Sequence, residues 1–373
     1  MANMLDYVNA HGDMGFDSLP FNEIDNIIFT QLVHLPLEKA LPYGEATLPL
    51  EQIAEALAHL ETDSPLAVML RKRLELLRLT GASLRFGGLV FRRFVDEVSH
   101  EDETQFCAVT ALLPGGEKVI AFRGTDLTLA GWKEDFNMAY ASPVPAQAKA
   151  VAYLTGAAAG REGPLIVLGH SKGGNLAVYA SIHCPQAVRR RIRAVYTNDG
   201  PGLMPEDTAL PAYAEMTPRI HSFLPQNSLV GLLLQQHEPY TVVHSRAIGV
   251  FEHDPFSWQV EGAAFVRRDS LSFTSQVTDA TLDAWLRQIS PESRQLFVDT
   301  LYSIVAATEA TTLGGLVRSG YRSARKMLDA ARDIPADVRQ ELMRCIGLLF
   351  SAGTESLTTA AREALLRGEK EKT

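Results

Sequence analysis

The sequence predicts an α/β fold, a mostly parallel sheet covered by helices on both faces, with a helical lead-in before it and a helical tail after it. Three observations carry this. Between residues 86 and 268 short apolar runs alternate with helix-compatible stretches, the pattern of strands buried on both faces. The first connections in that region are too short for crossovers, so its early strands form antiparallel hairpins. On either side the apolar spacing is helical. The chain divides into 1–85, a helical segment packing on the core; 86–268, the core; and 269–373, a helical extension.

In the lead-in, residues 22–35 place Ile24, Ile27, Ile28, Leu32 and Val33 at mixed i+3/i+4 spacing, and 48–60 and 66–79 repeat the pattern. Arg71, Lys72, Arg73 and Arg78 crowd the later part of the third segment, which suits the negative end of a helix dipole. From Phe86, residues 89–98, 104–113 and 118–122 read as strands, separated by the polar segment 100–103 and the turn Pro114-Gly115-Gly116. Then come a helix over 144–159, a strand over 164–168, a helix over 175–182 and a strand over 193–197. Further strands are expected over 219–224, 241–244 and 258–266. The tail reads as helices over 279–288, 291–306, 313–332, 336–350 and 354–367, with a frayed end from 369. Its apolar faces are expected to pack within the chain or to form a homodimer.

Composition narrows the function classes. With 373 residues, 46% hydrophobic and 21% charged, the chain can bury a large core and is not disordered. A net charge of −9 argues against a nucleic-acid partner. Cys107, Cys184 and Cys345 match no zinc spacing, and so read as reduced, mostly buried thiols. The N-terminus lacks a basic n-region and carries Asp6 where a signal peptide is apolar. No apolar run approaches the roughly 18 residues that span a bilayer. The expectation is a cytoplasmic protein without integral membrane association, metal or cofactor.

The chemistry concentrates in Gly169-His170-Ser171-Lys172-Gly173, a G-x-S-x-G pattern between a four-residue apolar run and a helix-compatible stretch. A serine at such a bend is held with its hydroxyl above the sheet edge, as a nucleophile needs. Accident would produce this pattern roughly 0.1 times per chain of this composition. The Lys172 amide, at a helix N-terminus, would face a developing oxyanion. A second strand, 118–126, ends in Arg123-Gly124-Thr125, from which Thr125 would supply a second oxyanion donor. Trp132 and Asp135 follow in an expected helix, as packing and capping residues.

A serine nucleophile needs a base and an acid, expected in the order serine, acid, histidine. His253 lies in the aromatic-rich loop Phe251-Glu-His-Asp-Pro-Phe-Ser-Trp258 and is the first choice for base, ahead of His244 at a strand end and His237 in a polar loop. His183 reads as solvent-facing and His221 as part of a strand. Asp199 directly follows the strand after the elbow helix, where Gly200, Pro201 and Gly202 would fix its carboxylate. Asp254 reads as a turn residue beside His253.

VIAFRGTD, LGHSKGGNLA and VYTNDGPG together resemble the class 3 lipases, and FNEIDNIIFTQLVHLPLE, LPQNSLVGLLL and EHDPFSW resemble a bacterial family of unknown function related to them. The similarity spans roughly residues 1–260. It implies an α/β-hydrolase fold with Ser171 as nucleophile. Two departures stand out. Residues 225–230, where class 3 lipases carry their acid, contain no aspartate, so the acid would be Asp199, as in pancreatic-type lipases. Lys172 stands where leucine is usual; it would either favour anionic substrates or be solvated.

The expected function is therefore a lipase-like serine hydrolase cleaving a carboxylic ester, an acyl lipid or lysophospholipid, with Ser171, His253 and Asp199 as triad and Thr125 and Lys172 as oxyanion donors. The terminal helices would wall or lid the site. The same triad would serve a thioesterase or amidase, and a non-catalytic scaffold that kept the fold is the rival of another class.

Overall fold

A computed structural model describes residues 2–44, 46–60, 67–99, 101, 104–125, 133–134, 137–138, 140–160, 163–234, 238–308 and 324–370. Trp132, Asp135, His237 and the first part of the helix expected over 313–332 lie outside them.

The lead-in opens with α1 (Met4–His11) and α2 (Glu23–Leu32), each started by an asparagine. Asn3 and Asn22 accept bonds from first-turn amides while Asp6 and Asp25 accept from the cap backbone N–H groups, closing two capping boxes. Helices α3 (Leu50–Leu57) and α4 (Val68–Gly81) follow. The lead-in is not wholly helical, because β1 (Thr47–Pro49) joins the sheet edge. It is anchored by Arg85, which is buried and donates to both carboxylate oxygens of Asp25, at 2.8 and 2.5 Å.

Among the described residues the core is a nine-stranded sheet. β2 (Val90–Ser99), β3 (Thr104–Leu112) and β4 (Lys118–Phe122) form the expected antiparallel hairpins. From β4 through β5 (Leu165–His170), β6 (Ile192–Asn198), β7 (Ile220–Pro225) and β8 (Tyr240–Val243) every pairing is parallel and the strand order is the chain order. Right-handed crossovers between strands laid down in sequence place their helices on one face. Helices α5 (Pro145–Ala158) and α6 (Lys172–His183) accordingly pack with Ile120, Val167 and Val195 in one apolar layer. The opposite face, with Val119, Ile166 and Leu168, is covered by Ile24, Ile28, Phe29 and Leu76 of the lead-in. Helices thus lie on both faces, but one cover comes from the chain's first third.

The strand expected over 258–266 is broken. A turn with Gly262 at φ 59° separates β9 (Val260–Glu261) from β10 (Ala264–Phe265), and β11 (Arg267–Arg268) pairs antiparallel with β8. Trp258 uses this stretch to bury its ring completely.

In the tail, α7 (Phe273–Gln288) and α8 (Pro291–Ala306) precede helical residues 324–332 and α9 (Ala336–Lys370). The two final helices expected from sequence are one, since Gly353 continues helical through the expected break. Trp285 of α7 donates its Nε1–H to the Cys345 carbonyl of α9 at 2.8 Å and packs edge-on against Phe297 of α8. All three cysteines are free and buried. Among the described residues no helix is long and apolar enough to cross a membrane.

Candidate active site

The parallel strands end at one carboxyl edge, and the polar groups of interest collect there, as they do in open α/β sheets. β5 is buried throughout and runs into Ser171, which caps α6 at φ 57°, ψ −133°. That backbone region is strained for any residue with a side chain. The bend closes because the flanking positions are glycines: a Cβ on Gly169 would collide with the backbone of Gly173. It is tied down by the Ser171 amide, which donates to the Asn198 carbonyl at 2.9 Å. Asn198 itself is clamped by a reciprocal amide pair with Asn26 of α2, at 2.8 and 3.0 Å, and donates to the Gly169 carbonyl at 2.9 Å.

One residue past the end of β6, Asp199 takes a left-handed conformation, φ 48°, and is 1% exposed. Its Oδ2 lies 2.6 Å from His253 Nδ1. Its Oδ1 accepts from Ser228 Oγ at 2.5 Å and from the Gly231 amide at 3.1 Å. The loop after β7 thus holds the carboxylate, a contribution the expectation of a Gly200–Gly202 turn did not include. That loop is the stretch in which an aspartate was missing; it supplies the acid's hydrogen-bond donors instead.

His253 sits in a short 3-10 turn, Gly249–His253, that is pinned on several sides. Its carbonyl lies 2.9 Å from His170 Nε2, and the two imidazoles lie 4.4 Å apart. Glu252 is fully buried and accepts from both the backbone and the side chain of Asn227, while Trp258 Nε1 donates to the Glu252 carbonyl at 2.7 Å. Asp254 receives the Phe256 amide at 3.0 Å, as a turn residue would, and an ion pair from Lys72 at 2.6 Å. Burial and the neighbouring His253 hold His170 well below the usual histidine range, so it is neutral.

Ser171, His253 and Thr125 line one cavity of about 490 Å3. Gly124 packs so close to the elbow that a Cβ on it would come within 3.1 Å of Ser171 Cβ, which sets Thr125 beside the serine. Lys172 neither reaches solvent nor faces the cavity. Its side chain is buried, and Nζ donates to the Gln105 carbonyl, Gln105 Oε1 and Glu134 Oε2 at 2.8, 2.9 and 3.0 Å. Glu134 also accepts the amides of Gln105 and Ala146, at 3.0 and 2.9 Å. The lysine is therefore a buried strut between the elbow helix, β3 and the segment after Thr125.

The other histidines are engaged elsewhere. His244 Nδ1 lies 2.7 Å from Gln226 Oε1, and burial together with Arg268 lowers its pKa. His183 is not simply solvent-facing; it pairs with Asp207 at 2.8 Å and stacks on Tyr179. His221 stacks on Tyr196, its register partner on β6. Among the described residues no cluster of His, Cys, Asp and Glu is fit to hold a metal.

Several contributors were invisible in sequence. His34, Met69, Lys72 and Arg73 of the lead-in wall the cavity, whereas no described residue of the tail lines it. Among the described residues, the wall expected from both termini comes from the N-terminal one. His170, the second residue of the motif, carries no local mark of its contact with the His253 carbonyl, and Ser228 lies in a loop notable in sequence only for lacking an aspartate. Nothing local marks Glu134, whose partners are distant in the chain.

A family model described as Mbeg1-like matches residues 80–303, the stretch from the end of α4 into α8. A search of curated proteins finds no match.

Proposed function

The chain belongs to the Mbeg1-like family, and we propose that it is a serine hydrolase of the α/β-hydrolase type that cleaves a carboxylic ester. One observation carries the reading: a serine held at φ 57° on a strand-to-helix bend shares a cavity with a histidine whose Nδ1 lies 2.6 Å from a buried carboxylate. With Nδ1–H donated to Asp199, His253 keeps the tautomer whose Nε2 accepts a proton.

In this mechanism Ser171 Oγ attacks the ester carbonyl carbon as its proton passes to His253 Nε2. The amides of Lys172 and Thr125 stabilise the tetrahedral oxyanion. Collapse breaks the carbonyl C–O bond, and the imidazolium returns the proton to the leaving alkoxide. Water then attacks the acyl-serine with His253 again as base, releasing the acid and restoring Ser171. Asp199 stabilises the imidazolium in both halves. The free, buried thiols fit a reducing cytoplasm.

A fluorophosphonate probe tests this. The wild-type protein is expected to be labelled on Ser171, and Ser171→Ala to abolish labelling and ester turnover alike, the latter by several orders of magnitude. A folded wild-type protein that takes no label would return the chain to the scaffold reading.

A further inference from the structure

The cavity has a second polar centre that the acyl-transfer chemistry does not use. Arg73, near the middle of α4, lines it opposite the elbow loop. Its Nε donates to Gln31 Oε1 at 3.2 Å, and its two terminal nitrogens find no hydrogen-bond partner among the described residues. Burial brings its pKa down to about 10, which still leaves it charged at neutral pH. Asp254 is the sole acid among the described residues lining the cavity, and it is already paired with Lys72 at 2.6 Å. Beside Arg73, His34 presents a buried Nε2 with no hydrogen-bond partner. Burial, with Arg73 close by, holds that imidazole well below its ordinary pKa, so it is neutral and able to donate one N–H. A cation that shares its nearest acid with Lys72 and a buried ring nitrogen without a partner, in one cavity with a nucleophile, leave hydrogen-bonding capacity that a ligand would complete. In a chain of net charge −9 they also make a local positive spot that would draw anions inward.

We propose that Arg73 and His34 form an oxyanion-binding subsite, so that the ester cleaved at Ser171 carries a carboxylate or phosphate within the span of this cavity. The assignment rests on the hydrolase reading for the ester, but not for the anion. Arg73 takes the anion with paired N–H bonds from its planar fork, and His34 adds a third. Lys172, the cation first in line from sequence, is excluded from this role by its burial against Glu134.

Calorimetric titration of glutarate and of glycerol 3-phosphate into folded Ser171→Ala protein tests the subsite without turnover. At least one anion is expected to bind, and which one binds decides between carboxylate and phosphate. Adding Arg73→Gln should weaken that binding by about tenfold or more. If Arg73→Gln does not melt cooperatively, Arg73→Lys gives the same reading: it keeps the charge but loses the fork, so its affinity must fall below that of its parent. Esters give an independent measure, because the ratio of kcat/KM for p-nitrophenyl hemiglutarate to that for p-nitrophenyl butyrate should drop in Arg73→Gln. Silence from both anions, or equal affinity with and without Arg73, overturns the subsite. A labelled Ser171 with a silent titration removes the subsite and leaves the hydrolase; an unlabelled Ser171 with Arg73-dependent binding keeps the anion site and removes the ester.

Discussion

Replacing Asp199 by asparagine isolates the electrostatic part of the proposed triad. The side chain is isosteric, and its remaining oxygen can keep the Ser228 and Gly231 bonds at Oδ1, so the loop after β7 stays in place. Only the contact at 2.6 Å to His253 Nδ1 changes, from an acceptor with a full charge to an amide donor. Two losses follow. The imidazolium formed in each half-reaction loses a counter-charge: at about 4 Å between charge centres and an effective dielectric of about 20, this is worth about 4 kcal/mol, or roughly a thousandfold in rate. The amide also favours the tautomer with its proton on Nε2, facing the serine, where a base is needed; the same exchange in a serine-protease triad costs about 10^4 in kcat. Asp199→Asn is therefore expected to lower kcat on p-nitrophenyl butyrate by about 10^3–10^4, with a urea midpoint close to that of wild type. Steady-state rates normalised to folded protein read this directly. A fall of less than about tenfold would mean that the buried carboxylate is a structural anchor and the triad assignment is wrong.

Glu134→Ala removes the acceptor of three hydrogen bonds and takes a carboxylate away from the buried Lys172 ammonium, which should cost about 3–5 kcal/mol in urea denaturation; a loss below about 1 kcal/mol would show the strut to be dispensable. His170 gives a pH signature. Its folded pKa is depressed, so the native state binds fewer protons than the unfolded one, and its contribution is complete above about pH 6.5 and lost as pH falls below it. Between pH 6.5 and 5.5 wild type should lose about 1 kcal/mol more than His170→Gln, whose amide can still reach the His253 carbonyl; equal losses in the two proteins would contradict a neutral buried ring.

Much of the fold was legible because its cause is local. β5 announces itself as an apolar run, the elbow as glycines around a serine, and the hairpins as short turns, since each depends on neighbours in sequence. Asp199 and His253 could be singled out for similar reasons, one at a strand end and the other in an aromatic loop. What could not be read were the long-range choices. Nothing in residues 47–49 says that they will pair with β2, because an edge strand needs only one partner and no strong pattern. The fracture of 258–266 reflects a tertiary demand, the burial of Trp258, which overrides strand propensity. Lys172 read as either an anion-binding or a solvated cation, and not as a buried one, because its acceptors, Gln105 and Glu134, lie far from it in the chain. Arg73 read only as one of four basic residues near a helix end, and its meaning depends on where α4 lands.

That landing follows from the order in which the parallel strands were laid down. Because their crossovers crowd one side, an upstream stretch had to thatch the other, and in doing so it leans His34 and Arg73 over a pocket whose proposed catalytic groups belong to later residues. On the proposed function, selectivity and chemistry are thereby drawn from distant parts of the polypeptide. Exchanging a few tips on one side of α4 can retune which compound is admitted while the strained bend, the acid and its ring stay as they are.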